Sequence, residues 1–391
     1  MGLATILFSS CQSHEPESGA YFFAHRVSES RAAFDESRFR SFRKDGQLAG
    51  TVTFGEPGTH TESRFSLIPP LPSRLTYTLD VPAEGRLDFG LGVTALGDET
   101  LPAPVTFSVE IDEELVFEET VRRRFGNVWF SRSVDLSEWA GTEVELTLDV
   151  RFQETPFVKA SELHSGVVPA WGNPVLVGGD EQEDRPDLIL VSIDCLRADH
   201  VGAYGYSRPT TPTLDALASE SVLFENTVSV SSWTLPTHMS MLTGLMPTEH
   251  GLSRARKRRA SVPYLPEILS REGYETIGIV SGLYLSTTFG YEQGFDVYRT
   301  LIDAPAEDLI DAARDLFLAE PHRPRFLFLH FFGAHWPYLP DDELLERAGG
   351  RPRDISELLR NVIDARPPTG PRDVADTKTL YDGEVAEIDQ T

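Results

Sequence analysis

Apolar and polar residues alternate along much of the first half of the chain. The clearest alternating segments are residues 75–81, 87–93, 105–111 and 144–152. A period of two gives each strand one buried face and one wet face, which is typical of antiparallel sandwiches. Turn-forming residues such as those at 82–85 separate the segments. The pattern therefore predicts an all-β sandwich over residues 20–178.

The pattern changes after residues 179–186, a charged segment that we interpret as a linker. Leu188–Ile193 is a continuous apolar run, which predicts a parallel strand buried on both faces. Three helices are predicted further along the chain: one that begins at Pro212 with Thr211 as its N-cap, one that runs through 265–273, and one that covers 309–317. Two more strands are predicted at 276–280 and 326–332. Strands that alternate with helices predict an α/β domain with a mostly parallel sheet over residues 187–391, separate from the sandwich.

Composition narrows the class of protein. The chain has 391 residues, of which 40% are hydrophobic, so two domains with packed cores are feasible. Its formal net charge is −26. A charge of that sign disfavours nucleic acid and anionic membrane surfaces as general partners, and it is compatible with an exported protein.

The two cysteines, Cys11 and Cys195, do not define a disulfide framework. A short apolar run and small residues before Cys11 resemble a bacterial lipoprotein signal. That resemblance implies a signal within residues 1–19, lipidation of Cys11, and an exported protein that is periplasmic or lipid-anchored in the bacterial envelope. No Lys or Arg precedes the apolar run, and Phe8 stands where leucine is usual. An ordinary cysteine near the N-terminus therefore remains the alternative.

Two side chains occupy places where α/β proteins bind ligands. Asp194 directly follows the apolar run 188–193, and ligands of parallel sheets bind where strands end. A buried carboxylate needs a positive partner, and a divalent metal suits a hard oxygen ligand, although an aspartate here could equally cap the next helix. Thr234 precedes Pro236, which suits a first helical turn, so its hydroxyl is predicted at a helix N-terminus that favours anions. A metal-bound hydroxyl at that place could attack a phosphate or sulfate ester.

Together these segments resemble the start of the sulfatase family of the alkaline phosphatase superfamily. The matching segments are residues 186–194, 196–200, 204–206, 214–218, 224–226, 234–244, 294–296 and 335–338, of which 214–218 corresponds to a helix and 224–226 to a strand. The resemblance implies an alkaline-phosphatase-like fold and a metal-dependent hydrolase of sulfate or phosphate esters. It also implies a divalent metal (Ca, Zn or Mn) on Asp194 and Thr234. The resemblance further implies catalytic roles for Thr234, His238 and His335, and contacts with the substrate for His335 and Arg197.

The chain departs from the family at the nucleophile. Sulfatases oxidise a cysteine or serine to formylglycine, but Thr234 carries a methyl group on Cβ, so its oxidation would give a ketone. No formylglycine is therefore expected. Nucleotide phosphodiesterases and lipoteichoic acid synthases of the same superfamily use an unmodified threonine on phosphorus, which implies direct attack by Thr234. Cys195 replaces an aspartate of the family, and residues 280–284 offer no cation where sulfatases place a lysine clamp.

Two further features complete the prediction. The second metal motif of the family, Asp-His-Gly, is absent, so the resemblance implies a truncated α/β domain. The first half resembles galactose-binding-like jelly rolls, which implies glycan binding through Trp171. The alternative, which we prefer, is that Trp139 and Trp171 belong to the core of the sandwich.

Three functions remain open from the sequence. The first is hydrolysis of a sulfate or phosphate ester on an anionic substrate such as a glycan or a cell-envelope polymer. The second is the activity of a phosphodiesterase, phosphonate hydrolase or phosphotransferase of the same superfamily. The third is a catalytically dead protein that binds glycan. The pair Asp194 and Thr234 favours the first two, because a dead scaffold need not keep both residues.

Overall fold

The computed structural model describes residues 5–7, 20–34, 48–55, 60–95, 103–122, 128–153, 167–178, 185–253, 256, 262–317, 323–347 and 370–391. The strands are β1 Thr5–Leu7, β2 Tyr21–Phe22, β3 Arg31–Phe34, β4 Ala49–Gly55, β5 His60–Leu67, β6 Ser73–Asp80, β7 Arg86–Ala95, β8 Val105–Ile111, β9 Glu114–Val121, β10 Phe130–Asp135, β11 Glu143–Phe152, β12 Val167–Val177, β13 Leu188–Ile193, β14 Glu275–Val280, β15 Val297–Leu301 and β16 Arg325–Phe331. The α-helices are α1 Pro212–Ser219, α2 Thr234–Thr243, α3 Pro247–His250, α4 Leu265–Arg271, α5 Ala306–Phe317, α6 Asp342–Arg347 and α7 Pro371–Gln390. Single 3₁₀ turns span Val27–Glu29, Ser137–Trp139, Ala198–His200, Gly202–Tyr204, Leu283–Leu285 and Thr287–Phe289. None of the described helices is both long and apolar enough to cross a membrane.

The first half of the chain forms two antiparallel layers. One layer is the sheet β3-β6-β11-β8-β9, and the other contains β10-β7-β12-β5. Tyr77 and Leu146 from the first layer and Leu91 and Trp171 from the second are fully buried in one shared core. The predicted β-rich first half is confirmed, and its two layers are consistent with a sandwich. Its likeness to galactose-binding domains stays a prediction.

The second half is an α/β layer structure, as the alternation of strands and helices predicts. Strands β15, β14, β16 and β13 are adjacent and parallel in that order. Helices α2 and α4 pack on the sheet face that carries Phe326 and Phe328. Helices α5 and α7 pack on the opposite face, against Leu327 and Leu329. Residues of one strand thus enter two separate cores, because successive side chains of a strand point to opposite faces.

The prediction of two separate sheets is wrong. Strand β5 of the first half pairs antiparallel with β15 of the second half, and Ser63 lies opposite Tyr298 in that ladder. An 11-stranded sheet therefore runs through both halves. Arg299 on β15 adds an ion pair across the junction, with 3.0 Å between its Nε and Glu62 Oε2. The sequence gives no signal for this pairing, because antiparallel contact between edge strands depends on how the two halves dock.

Strand β13 is not buried on both faces, in contrast to the prediction. It is the last strand of the sheet, and Leu188, Ile189 and Val191 are 37%, 58% and 49% exposed. The strand expected at residues 224–226 is likewise absent, since residues 222–230 contain no helix or strand and Phe224 is 71% exposed. Apolar patterning shows that these residues favour burial, but it does not show which element covers them.

Helix α1 begins at Pro212, as predicted, but without a cap from the threonine before it. The Thr211 hydroxyl contacts Asp215 instead, with 3.1 Å between Oγ1 and Oδ1. The free backbone N–H groups of Thr213 and Leu214 donate to the two carboxylate oxygens of Asp389, each over 2.8 Å. Helix α7 therefore caps α1 from a distant part of the chain, which satisfies donors that the first helical turn leaves open.

Candidate active site

The carboxylate of Asp194 lies where β13 ends. Its backbone N–H donates to the Phe331 carbonyl over 2.9 Å, which continues the ladder between β13 and β16 by one residue. The chain then turns at Cys195, whose φ is +60°. This left-handed conformation is uncommon for residues other than glycine. The turn ends the strand and leaves the Asp194 side chain at the carboxyl edge of the sheet.

The hydroxyl of Thr234 meets that carboxylate. Thr234 is the first residue of α2, and Trp233 before it is extended, with φ −152° and ψ 156°. Thr234 Oγ1 donates a hydrogen bond to Asp194 Oδ2 over 2.8 Å, and both residues are 8% exposed. The structure thus brings together the two residues that the sequence singles out as metal ligands. Their chemical roles stay predictions.

His238 lies one turn further along α2, beneath Thr234 rather than beside it. Its Nδ1 is 2.8 Å from the Thr234 carbonyl oxygen, and its Nε2 is 2.8 Å from Ser192 Oγ. A carbonyl can only accept, so Nδ1 carries the proton and Nε2 accepts from the serine hydroxyl. Burial, and then the neighbouring His330, lower the pKa of His238 to about 4. A neutral ring with both nitrogens engaged fixes the first turn of α2, and the catalytic role of His238 stays a prediction.

His330 is a site residue that the sequence analysis missed. It lies on β16 opposite Ser192, is fully buried, and packs edge-to-face on His238 with 4.8 Å between ring centroids. Its Nε2 is 3.7 Å from Asp194 Oδ2, which is longer than a hydrogen bond, and neither ring nitrogen has a hydrogen-bond partner. A histidine inside the apolar run 326–331 was the available signal, but only the strand register brings it to Asp194.

The charge balance around Asp194 favours its ionised form. Burial alone would raise the pKa of this carboxyl. His330 and the Thr234 hydroxyl outweigh burial and hold the pKa well below its usual range. Burial, and then the charge of Asp194, raise the pKa of the adjacent Cys195 thiol to about 11. The site therefore presents an anionic carboxylate and a protonated thiol at neutral pH.

The two residues that are predicted to contact the substrate, Arg197 and His335, have partners other than Asp194 and Thr234. Arg197 follows the turn at Cys195, and its guanidinium makes two 2.8 Å contacts with the exposed Asp199. His335 lies on the loop after β16, half-buried and stacked on Phe332 with 4.2 Å between ring centroids. Its Nδ1 is 2.6 Å from the Trp336 carbonyl oxygen. Both residues are near the carboxyl ends of the strands, and their contact with a substrate stays a prediction.

The donor atoms fit one side of a divalent metal site. Asp194 and Thr234 present two neighbouring oxygen atoms, which are the ligands that hard divalent cations prefer. The fully buried His330 adds nitrogen atoms without partners close by. Within the described residues, however, no group of three or more His, Cys, Asp or Glu side chains is arranged to hold a metal. The residues present would thus supply part of a coordination shell.

Comparison with known proteins agrees with this picture. A model of the sulfatase family matches residues 186–391, which is more than half of the chain. The match includes the parallel strands of the α/β sheet and both residues at its carboxyl edge, Asp194 and Thr234. The chain belongs to the sulfatase family. Members of that family usually use a divalent metal.

Individual relatives cover only parts of the chain. Human N-acetylgalactosamine-6-sulfatase is 30% identical over 112 residues, which is 25% of this chain and 22% of that protein. The C-terminal periplasmic domain of EcEptC from Escherichia coli, in complex with Zn, has 20% identity and a TM-score of 0.41, covering 54% of this chain and 59% of that chain. The phosphonate monoester hydrolase of Agrobacterium radiobacter has 18% identity and a TM-score of 0.42, covering 53% and 57%. The chain spans about a fifth of the length of the curated relatives it matches.

Proposed function

We propose that the protein hydrolyses sulfuric or phosphoric esters and that Thr234 is the nucleophile. The observation that supports this most directly is the 2.8 Å hydrogen bond from Thr234 Oγ1 to Asp194 Oδ2 at the start of α2. It holds a hydroxyl at a helix N-terminus, where free N–H groups and the helix dipole favour an anionic ester. The same hydrogen bond fixes the orientation of the Thr234 hydroxyl.

The proposed reaction has two steps. In the first step, Thr234 Oγ1 forms a bond to the phosphorus or sulfur atom of the ester. The bond from that atom to the leaving oxygen breaks, and the leaving oxygen keeps the electron pair. The hydroxyl proton is released to solvent water, and the leaving oxygen takes up a proton. Water then attacks the same phosphorus or sulfur atom and gives up a proton, the bond to Thr234 Oγ1 breaks with its electron pair on that oxygen, and Oγ1 takes up a proton. A metal held by Asp194 and Thr234 would lower the pKa of the hydroxyl and neutralise charge on the ester.

The identity of the nucleophile separates this proposal from ordinary sulfatase chemistry. Threonine cannot form formylglycine, because its Cβ carries a methyl group. The protein therefore needs no maturation enzyme. A sulfuryl group carries less negative charge than a phosphoryl group. A metal ion bound next to the attacking alkoxide therefore stabilises its transfer less. We expect phosphodiesters or phosphonates to compete with sulfate esters as substrates.

We further propose an anionic glycan or cell-envelope ester as the physiological substrate of an exported protein. The matching human relative is a sulfatase of N-acetylgalactosamine 6-sulfate by name, which favours a sugar ester. The lipid anchor on Cys11 is part of this proposal and lies outside the described residues. Most of the predicted linker, residues 179–184, also lies outside them.

The alternative of a catalytically dead glycan-binding protein has less support. Trp171, its predicted glycan contact, is fully buried between Phe89 and Phe107, with 5.1 Å between ring centroids on each side. Our preferred assignment of Trp171 to the core is confirmed, and Trp139 also packs against that core. A buried tryptophan offers no face to a sugar.

The test is kinetic. The protein is expressed in cells that lack the formylglycine-generating enzyme and is assayed with an aryl sulfate and an aryl phosphodiester. We expect turnover by the wild type and by Thr243→Ala, a control at the far end of the same helix, and a loss of at least about a thousandfold in Thr234→Ala. Thr234→Cys is made in parallel in cells that contain the enzyme. Activity that appears only in this matured variant, and only on sulfate, would show that direct attack by threonine is wrong.

A further inference from the structure

The turn after Asp194 is held by a residue from a distant helix. Tyr381 of α7 donates its hydroxyl proton to the Cys195 carbonyl over 2.9 Å. The same hydroxyl accepts the Arg197 N–H over 2.8 Å. Burial is the largest cause that raises the pKa of Tyr381 to about 12, so the hydroxyl keeps its proton and can serve both bonds. One side chain therefore bridges the backbone on both sides of the turn.

The bridged turn is one that the chain adopts at an energetic cost. Cys195 has φ +60°, and a side chain with a Cβ is strained there because Cβ approaches the neighbouring backbone. Such a conformation persists only where surrounding contacts enforce it. Cys195 directly follows Asp194, so relaxation of its φ towards negative values would rotate the strand end that carries the carboxylate.

Helix α7 is anchored firmly enough to enforce this conformation. Asp382, next to Tyr381, is fully buried and accepts from three side chains of residues 200–208. These contacts are His200 Nδ1 at 2.5 Å, Tyr206 Oη at 2.6 Å and Arg208 Nη1 at 2.7 Å. The Tyr381 ring also packs edge-to-face on His200, with 4.8 Å between ring centroids. The position of the Tyr381 hydroxyl is therefore fixed by several contacts that do not involve Cys195.

We infer that Tyr381 is a positioning residue, which keeps Cys195 in the left-handed conformation and thereby aims the Asp194 carboxylate at Thr234. It touches neither Asp194 nor Thr234 through a hydrogen bond and acts only through the backbone of the turn. The kinetic part of its test rests on the proposed function, whereas the structural part does not.

The inference predicts a specific pattern of non-additivity. Tyr381→Phe removes both hydrogen bonds, and we expect kcat to fall about tenfold with KM nearly unchanged, because Asp194 becomes misaligned. Glycine has no steric reason to leave φ +60°, so the bridge matters less when Cys195 is replaced by glycine. In the Cys195→Gly background, Tyr381→Phe should therefore lower kcat less than about threefold.

The matched control is Tyr206→Phe, which also removes one tyrosine hydroxyl, here partly buried, from the contacts of α7 but does not touch the turn. It should lower the melting temperature, as Tyr381→Phe does, and leave kcat unchanged, because His200 and Arg208 still hold Asp382 and thus α7. A role of Tyr381 in stability alone predicts the opposite pattern, in which both tyrosine variants behave alike and Cys195→Gly rescues neither.

A structural measurement separates this inference from the proposed function. The Asp194 amide, which bonds to the Phe331 carbonyl and not to Tyr381, is followed by NMR-detected hydrogen exchange. We expect its exchange to accelerate about tenfold in Tyr381→Phe and to return towards the Cys195→Gly rate in the double variant. Equal acceleration in both backgrounds, or none in either, would overturn the inference. Inactivity of the wild type on both esters would count against the proposed function only.

Discussion

His330 is fully buried next to Asp194, and neither of its ring nitrogens has a hydrogen-bond partner. A buried polar group in that state is destabilising, because it has lost its hydrogen bonds to water without replacement. It supports Asp194 electrostatically over 3.7 Å. His330 therefore lowers the stability of the folded protein and at the same time favours the ionised form of Asp194.

We predict that His330→Phe lowers kcat while the free energy of unfolding stays equal or rises by up to about 1 kcal/mol. The control is His250→Phe, since His250 is equally buried but its nitrogens contact Ser240 Oγ and the Leu252 N–H, each at 3.1 Å. That variant should lose about 1–3 kcal/mol. Urea unfolding of both variants provides the comparison, and a large loss of stability in His330→Phe would show that its nitrogens are satisfied.

Single residues differ in how well the sequence could identify them. Asp194 and Thr234 occupy positions that strand and helix patterns define, so their juxtaposition could be predicted. The engagement of both His238 nitrogens, and the approach of His330, depend on the register between β13 and β16 and on the packing of α2. Such contacts arise from tertiary structure and leave no local pattern.

Helix α7 carries an ionisable group that couples stability to pH. Burial, and then the charges of Glu387 and Asp341, raise the pKa of Glu384 to about 7. Its Oε1 accepts the Leu339 N–H on the loop that also carries His335. A carboxyl whose pKa is raised on folding favours the folded state most below its unfolded pKa of 4.5, and that contribution is lost as pH rises through 7.

We predict that Glu384→Gln stabilises the protein by about 1–3 kcal/mol at pH 8 and that the gain disappears near pH 4.5. Glutamine keeps the acceptor oxygen without a charge that must be buried. The measurement is chemical denaturation at several pH values, with Asp376→Asn on the same helix as a control for loss of one negative charge. A gain in stability that does not change with pH would contradict the prediction.

Elements were predicted well where periodicity determines them. The spans of β6, β8, β11, β14, β16 and α5 follow from spacing of apolar residues alone. The capping of α1 could not be predicted in this way, because Asp389 lies more than 170 residues along the chain from the N–H groups whose hydrogen bonds it accepts. The exposure of β13 could not be predicted either. An apolar run indicates that a strand favours burial, but it does not show whether another helix or strand packs over it.

At the scale of the whole molecule, β13 is the terminal strand of the sheet. Within the described part of the chain it pairs with β16 alone. Its exposed apolar side chains lie on a strand edge that is open to pairing, which is a feature that promotes association. The antiparallel junction between β5 and β15 has the opposite effect, because it covers two edges within one molecule.

We predict that the expressed chain self-associates in a concentration-dependent manner through β13. Ile189→Lys with Val191→Lys should suppress the association, because lysine on an edge strand disfavours edge-to-edge pairing. Ile268→Lys, at a 44% exposed position of α4, should leave it unchanged. Sedimentation velocity over a range of concentrations measures the effect, and equal suppression by both changes would exclude β13 as the contact.

The central claim is that Thr234 itself attacks the ester, and a covalent intermediate tests it most directly. Turnover of an aryl phosphodiester or aryl sulfate by protein made without the formylglycine-generating enzyme is quenched in acid and analysed by peptide mass spectrometry. We predict that the transferred group is found on Thr234 and is absent from Thr234→Ala. Turnover without an adduct on Thr234, or an adduct on another residue, would contradict the account.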